Sequence, residues 1–236
     1  ASPGAAPGRM PPLNVHAPDA VVAPVGGGYS LVQVASGAWS VRSLREGETF
    51  HPVIGPAAEA EALYVRQMRL PERAAAVPDE FVVWDVGLGA AANVIAVVRA
   101  MGGVHARLRV ESFDHSAEPL RFARAEALRL GYFEGFHETV QALLERRDVS
   151  FRHGCCHVRW RFHEADFPGW LVGGAGDVPS PEAILFDAFS PARNPSMWTL
   201  GVFRGLRQRV GARPATLATY SRSTLLRVRS EEHTSE

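Results

Sequence analysis

The sequence predicts an α/β fold in which a mostly parallel β-sheet is covered by helices on both faces. From Phe81 onward, short apolar runs typical of buried strands alternate with segments that carry apolar residues at helical spacing. Such alternation favours right-handed crossovers and therefore parallel strands. At 236 residues and 46% hydrophobic content, the chain is long enough for one domain of this kind with a substantial core.

A small N-terminal lobe is predicted ahead of the alternating region. Residues 1–28 are rich in Ala, Pro and Gly and lack the basic start and apolar centre of a signal peptide, which predicts a disordered lead-in. Residues 29–44 alternate apolar and polar side chains around a Ser-Gly pair, as a β-hairpin does. Residues 56–69 begin with proline and continue at helical spacing, which predicts a helix. The lobe thus spans residues 29–70, and residues 71–79 are the expected linker.

The main domain is predicted to span residues 80–228. Strands are expected at residues 81–86, 107–113, 158–162, 183–186 and 215–220. Helices are expected at residues 90–101, 118–130, 134–147 and 195–210. A Gly/Pro-rich loop precedes the strand at residues 183–186.

The C-terminal residues do not fit this pattern. Residues 229–236, RSEEHTSE, resemble the translated sequencing-adapter tail of some metagenomic gene models. We therefore expect a non-native tail and a natural protein that continues beyond about residue 228. On that expectation, the last helix and strands of the domain are missing.

The composition excludes several classes of protein. The formal net charge is zero, so any contact with RNA is expected to be local rather than a broad electrostatic one. The chain has no apolar run long enough to span a membrane, and its two cysteines, Cys155 and Cys156, are adjacent and cannot form a disulfide framework. They lie between His153 and His157, but adjacent cysteines cannot both reach one ion with good geometry, so no metal site is predicted. We predict a cytoplasmic protein without a membrane partner.

A glycine turn follows the first strand of the main domain. Gly87 and Gly89 precede the helix at residues 90–101, and Asn93 lies near its start. Glycines let the backbone approach a ligand, and the free N–H groups of a helix N-terminus favour a nucleotide-like cofactor, although such a turn can also be only a tight connection. Asp114 ends the next strand, where a carboxylate can accept the ribose hydroxyls or cap the following helix. These residues predict a Rossmann-like domain that binds an adenosine-containing cofactor.

An acidic block follows the strand at residues 183–186. Asp187 begins the segment DAFSPARNPSMWT, and this position places its carboxylate at the edge of the sheet where open α/β folds bind ligands. The block resembles the signature of the methyltransferase family that includes the methyltransferase half of the bifunctional tRNA 5-methylaminomethyl-2-thiouridine biosynthesis proteins. About nine residue types recur in the same order, which is far more than a glycine motif supplies.

The resemblance implies a class I S-adenosylmethionine-dependent methyltransferase and gives roles to particular residues. It implies that Asp187 holds the substrate amine and accepts its proton, unless this carboxylate only caps a loop. Asp166 corresponds to the position that meets the adenine amino group, although it can also be only a turn aspartate. The substrate side of the site would be formed by Phe189, Ser190 and Pro191. The cofactor would be held by Gly87, Gly89, Asn93, Asp114 and Asp166.

The resemblance also implies a substrate and partners. In this family the 5-aminomethyl group of 2-thiouridine at the tRNA wobble position becomes 5-methylaminomethyl, so tRNA is the expected partner. Fused family members carry a flavin oxidoreductase domain after the methyltransferase domain. The resemblance therefore allows such a domain downstream in the natural gene. Residues 47–51 and 59–61 match the family segment ahead of the glycine turn and would close over the cofactor, or would form an exposed loop and a solvated helix face.

Three alternatives remain open at the level of the sequence. A polyamine-synthase-like aminopropyltransferase shares the fold and a related donor, but would carry more acids for a polycationic substrate. A noncatalytic cofactor-binding fragment would have the glycine turn without the chemistry. A nicotinamide-dependent oxidoreductase is disfavoured, because no catalytic Tyr/Lys set accompanies the glycine turn.

Overall fold

The N-terminal part of the protein forms a small antiparallel sheet. The computed structural model describes residues 20–24, 27–173 and 176–220. Strands β1 (Ala20–Pro24), β2 (Tyr29–Gln33) and β3 (Trp39–Ser43) pair in the order β1-β2-β3. The predicted hairpin is therefore present. The predicted disorder of residues 1–28 is wrong for Ala20–Pro24, because this segment pairs with β2 and satisfies backbone groups that would otherwise lie at an open edge.

Residues 1–19, 25 and 26 of the predicted lead-in and residues 229–236 of the predicted tail lie outside the described part of the chain.

The helical part of the N-terminal lobe differs from a single regular helix. Helix α1 (Pro56–Ala60) continues directly into a π-helical turn, Glu61–Arg66, and helix α2 (Leu70–Ala75) follows. The linker expected at residues 71–79 is therefore wrong over α2. Proline is favoured in the first turn of a helix, where its missing N–H costs no hydrogen bond, and Leu70 is fully buried in the core.

The main sheet is mostly parallel, as predicted. Its strands are β4 (Glu80–Val86), β5 (Arg107–Asp114), β6 (Asp148–His153), β7 (Cys156–Glu164), β8 (Ala183–Phe186) and β9 (Thr216–Thr219). Within the described residues, the strand order is β6-β7-β5-β4-β8-β9, and β6 is antiparallel to β7 while the other neighbours are parallel.

Helices cover both faces of this sheet. They are α3 (Ala92–Ala100), α4 (Glu118–Ala125), α5 (Ala127–Leu130), α6 (His137–Arg146), α7 (Phe167–Gly173) and α8 (Leu200–Val210). On one face, α3, α4 and α6 share a core with the N-terminal lobe, centred on the fully buried Trp160. On the other face, α7 and α8 pack around the fully buried Trp84. No helix in the described residues is both long and apolar enough to cross a membrane.

In the main domain, β6 and α7 were not predicted, and two predicted helices are interrupted. The helix predicted at 118–130 breaks at Glu126, and the one predicted at 195–210 begins as a 3₁₀ turn, Pro195–Trp198, before Thr199 caps α8 through its side chain. A short local pattern does not show where a helix changes its hydrogen-bonding period.

The His/Cys cluster proves to be part of the β6–β7 hairpin. Gly154 has φ +56°, and a Cβ there would lie 2.1 Å from the backbone oxygen of Gly102. The Cys155 N–H donates to the same oxygen at 2.8 Å. The glycine is explained by this close packing.

The strand order places a crevice at the carboxyl ends of β4 and β8. β4 lies between β5 and β8, so the chain moves outward from β4 in both directions. Connections that leave in opposite directions open a crevice at the point where the strand order reverses, and ligands of open α/β sheets bind there.

Candidate functional site

A large cavity opens at this crevice. Its volume is about 1660 Å³, and it is lined by the loops that follow β4, β5, β7 and β8 and by residues 45–53 of the N-terminal lobe. Pockets for a single small ligand are typically about 300–1,000 Å³. The cavity therefore has room for two reactants.

The glycine turn after β4 is held against the acidic block after β8. Gly87 has φ +98°, and a Cβ at this position would lie 2.6 Å from the backbone oxygen of Asp187. The N–H of Asp187 in turn donates to Val86 O at 2.8 Å. Glycine is required here because any side chain would push the two loops apart. Gly89, with φ +49°, lines the cavity beside Phe50.

Asp114 lies at the end of β5 and lines the cavity. Its Oδ2 accepts the Gly89 N–H at 2.9 Å, and its Oδ1 is 3.1 Å from His115 Nδ1. The hydrogen bond to Asp114 is the main cause that raises the pKa of His115. Asp114 Oδ1 also accepts the Ser116 N–H at 3.3 Å in the turn before α4, and Glu118 N donates to Ser116 Oγ at 3.1 Å. Asp114 therefore lines the cavity and also holds the turn that leads into α4.

Asp166 lies in the turn before α7 and also lines the cavity. Its Oδ2 accepts the Gly169 N–H at 3.0 Å in the first turn of α7, as an N-terminal cap does. The residue also lines the cavity, next to Ala165 and Phe167. Phe167 is buried and packs 5.1 Å from Phe113, measured between ring centroids.

Asp187 lies over the glycine turn at the carboxyl end of β8. Its Oδ2 accepts a hydrogen bond of 2.7 Å from Asn93 Nδ2, and its side chain is 18% exposed, towards the cavity. Asn93 is buried in the first turn of α3 and is not among the residues that line the cavity. The structure thus brings Asn93 to Asp187, whereas the sequence suggested a direct contact with the cofactor.

The three residues predicted to face the substrate all line the cavity. The Ser190 N–H donates to Glu48 Oε2 at 3.1 Å, and the Ser190 hydroxyl donates to Glu48 Oε1. Phe189 packs edge to face against Phe50 at 5.4 Å. Pro191 lies beside them. The acidic block is thereby joined to the N-terminal lobe.

Backbone pairing in the N-terminal lobe carries residues 48–51 to the cavity. The Phe50 N–H donates to Val41 O at 2.8 Å, so the chain after β3 runs back along that strand. His51 is 8% exposed and lines the cavity, with Nε2 3.5 Å from Asp187 Oδ2. From the sequence alone, His51 belonged to a segment that either closes over the cofactor or forms an exposed loop, and it had no predicted chemical role.

A fully buried carboxyl group lies below the site in β4. Asp85 is 0% exposed, and burial, as the main cause, raises its pKa to about 8. The hydrogen bond from Ser112 Oγ, at 2.7 Å, acts in the opposite direction, and the charges of Asp187 and Asp114 add to the rise. A buried carboxyl group with a raised pKa beside a cleft is typical of a functional site.

Metal chemistry finds no support in the side chains that the structure describes. Across residues 27–173 and 176–220, no three His, Cys, Asp or Glu side chains are grouped so as to hold an ion.

Comparison with protein families gives a match over the C-terminal part of the chain. Residues 135–230 match the model of a family described as S-adenosyl-L-methionine-dependent methyltransferase.

Curated relatives agree with this match. The tRNA 5-methylaminomethyl-2-thiouridine biosynthesis bifunctional protein of Caulobacter vibrioides is 32% identical over 190 residues, which are 72% of this chain and 29% of that protein. The protein of the same name from Aeromonas hydrophila is 32% identical over 186 residues, which are 69% of this chain and 26% of that protein. The chain thus spans less than one third of the length of these relatives.

A solved structure shares the fold. The crystal structure of MNMC2 from Aquifex aeolicus superposes with a TM-score of 0.65 at 23% sequence identity. The superposition covers 89% of this chain and 65% of that chain.

Proposed function

Because the chain belongs to the S-adenosyl-L-methionine-dependent methyltransferase family, we propose that it methylates the primary amine of 5-aminomethyl-2-thiouridine at the wobble position of tRNA. The names of its relatives support this choice of substrate, since they are tRNA 5-methylaminomethyl-2-thiouridine biosynthesis proteins. The single observation that supports amine methylation is the position of Asp187. Its carboxylate is held at the carboxyl edge of the sheet and faces a cavity large enough for two reactants.

The residues of the cavity fit the proposed cofactor. Gly87 and Gly89 line the cavity at the end of β4, where an adenosine could lie against the backbone of the turn. The Asp114 and Asp166 carboxylates are acceptors suited to the ribose hydroxyls and the adenine amino group, and Phe167 offers an apolar ring between them and the core. When bound, the cofactor supplies a methyl group already activated by the positive sulfonium.

The task of the protein is then to bind and align the amine. The Asp187 carboxylate can accept N–H bonds from the substrate, while Asn93 fixes its orientation from behind. Alignment of two bound reactants removes most of the entropic barrier of a bimolecular step. Phe189 and Phe50 form an apolar wall beside the acid, which excludes water and strengthens its attraction for a cationic or polar amine.

Three arginines, Arg42, Arg45 and Arg193, line the cavity together with the acids. These guanidinium groups would attract the phosphates near a target nucleotide, which favours a nucleic-acid substrate.

Replacement of Asp187 by Asn tests the proposal. The amide keeps the size of the side chain and loses its charge, so we expect the affinity for S-adenosylmethionine to change by less than about twofold. Methyl transfer to tRNA that carries 5-aminomethyl-2-thiouridine should fall by about a hundredfold or more, as for a positioned acid/base group. The two quantities are measured by calorimetry and by single-turnover incorporation of labelled methyl groups.

Asp79→Asn, in an exposed loop, is the matched control and should change neither quantity. Wild-type turnover in Asp187→Asn would contradict the role of Asp187. A joint loss of affinity and thermal stability would show that the carboxylate is structural.

A further inference from the structure

A histidine and a second carboxylate lie next to Asp187 at the wall of the cavity. His51 Nε2 is 3.5 Å from Asp187 Oδ2, and His51 Nδ1 is 3.9 Å from Glu59 Oε2. All three side chains are at least four-fifths buried, with exposures of 7% for His51, 3% for Glu59 and 18% for Asp187. The imidazole therefore lies between two carboxylates, and one of them is the proposed substrate ligand.

Glu59 is fixed independently of the histidine. Its Oε1 accepts three backbone N–H bonds, from Val53 at 2.6 Å, Ile54 at 2.7 Å and Gly55 at 3.1 Å. Its Oε2 is buried and has no hydrogen-bond partner among the described residues. A buried carboxylate oxygen without a donor is costly, and the N–H donor nearest to it in the described ion pairs is His51 Nδ1. The other ring nitrogen, Nε2, lies closer to a carboxylate, but that oxygen, Asp187 Oδ2, already accepts from Asn93 Nδ2. The unsatisfied Glu59 Oε2 therefore favours the tautomer of His51 that carries its proton on Nδ1, with a small shift of the ring to close the 3.9 Å gap.

This tautomer leaves the Nε2 lone pair beside Asp187. Two acceptors, the imidazole nitrogen and the carboxylate oxygen, then lie 3.5 Å apart at the cavity wall. Such a pair repels unless a donor with more than one N–H approaches both, and an alkylammonium group is a donor of this kind. His51 also adopts φ +49°, a left-handed backbone conformation that the local fold must maintain.

We propose that His51, oriented by Glu59, removes the proton from the substrate ammonium before methyl transfer, an inference that rests on the proposed function. An alkylamine with a pKa near 10 is neutral in only about one molecule in a thousand at pH 7. In the proposed step the N–H bond of the ammonium breaks, its electron pair stays on the amine nitrogen, and the proton forms a bond with Nε2. The amine is then a nucleophile, and the imidazolium is stabilised by Asp187 and Glu59. Its proton leaves to water through the mouth of the cavity.

Four titratable groups face the imidazole or its carboxylate partner. Asp187 follows β8, Glu59 belongs to α1, and Tyr220 follows β9 with its ring 6.1 Å from that of His51. Tyr64, in the π-helical turn, has its pKa raised mainly by burial and then by the charge of Asp187. At neutral pH, the groups beside the imidazole that carry a negative charge are thus the two carboxylates, Asp187 and Glu59.

The pH dependence of His51→Gln tests the step. We expect single-turnover methyl transfer to fall by about 10²–10³-fold at pH 7, which is the range for loss of a general base. The loss should shrink to less than about tenfold near pH 10, because the amine there loses its proton to the solvent. The affinity for S-adenosylmethionine should stay within about twofold of the wild type. His105→Gln, on the exposed surface, is the control. A loss that is equal at all pH values would overturn the proposal.

Glu59→Gln tests the orientation without requiring activity. The amide can keep the acceptor for the three backbone N–H groups but presents an NH₂ donor to Nδ1, which favours the opposite tautomer. Nitrogen-15 NMR of the ligand-free protein should show the Nδ1–H form of His51 in the wild type and the Nε2–H form in the variant. If the wild type transfers no methyl group to this tRNA, the proposed function fails. The NMR measurement tests the orientation of His51 independently of that activity, and an Nε2–H form in the wild type would overturn the inference.

Discussion

The buried carboxyl group of Asp85 should make the free energy of unfolding depend on pH, by an amount that follows from its raised pKa. This carboxyl group is 0% exposed and lies next to the carboxyl end of β4. Ser112 Oγ donates to Oδ2 at 2.7 Å, Trp160 Nε1 donates to Ser112 Oγ at 2.9 Å, and Oδ1 has no hydrogen-bond partner in the described residues. Burial raises the pKa from 3.8 to about 8, so the group is mostly protonated at pH 7. The neighbouring loops bring two further acids, Asp187 and Asp114, whose charges act in the same direction.

The raised pKa of Asp85 costs stability as the pH increases. Below pH 4 the carboxyl group is protonated in both the folded and the unfolded chain and contributes no pH dependence. Between pH 4 and pH 8 only the unfolded chain loses the proton, so the unfolded state is stabilised by about 1.4 kcal/mol for each pH unit. From pH 5 to pH 8 the free energy of unfolding should therefore fall by about 4 kcal/mol on account of this one group.

Asp85→Asn removes this dependence and keeps the shape of the side chain. The amide oxygen can still accept the Ser112 hydroxyl, while its NH₂ group, if unpaired, costs about 1–3 kcal/mol at every pH. We expect the variant to be more stable than the wild type at pH 8, and its advantage to shrink or reverse at pH 5. Urea unfolding of both proteins across this range measures the difference. Asp79→Asn is the control, and a difference between Asp85→Asn and wild type that is constant with pH would refute the reasoning.

Two further predictions follow from the glycine turn and the end of β5. Asp114→Ala should weaken the binding of S-adenosylmethionine by about 1.5–3 kcal/mol, as for lost hydrogen bonds to a charged group, while NAD binds neither protein; unchanged affinity in calorimetry would remove Asp114 from the site. Gly87→Ala places a Cβ 2.6 Å from the Asp187 oxygen at φ +98° and should lower the free energy of unfolding by more than about 2 kcal/mol beyond Gly28→Ala, which has φ +82° and open space. If thermal unfolding shows the same loss of unfolding free energy in Gly87→Ala and Gly28→Ala, the close approach of Gly87 to Asp187 does not contribute to stability.

The acidic block shows how much of the site could be predicted from the sequence. Asp187 follows an apolar run and Asp114 ends a predicted strand, and parallel strands bring their carboxyl ends to one edge of the sheet, so both acids were expected at one cavity. The glycine turn was expected there for the same reason. The resemblance of the block DAFSPARNPSMWT added the family, which comparison with known proteins then supported.

The sequence by itself determined most of the strands and helices of the main domain and the acids at the strand ends, because both depend on local periodicity and on the rule that parallel strands share an edge. Only the tertiary structure decided which side chains meet. Asn93 and Asp187 are 94 residues apart, and Glu48 and Ser190 are 142 apart, and no local pattern records such contacts. The same holds for His51, whose place beside Asp187 depends on how the chain after β3 folds back on the N-terminal sheet and on the turn that Glu59 stabilises. Long-range packing fixes these positions, because the free energy of burial depends on the whole core rather than on neighbouring residues.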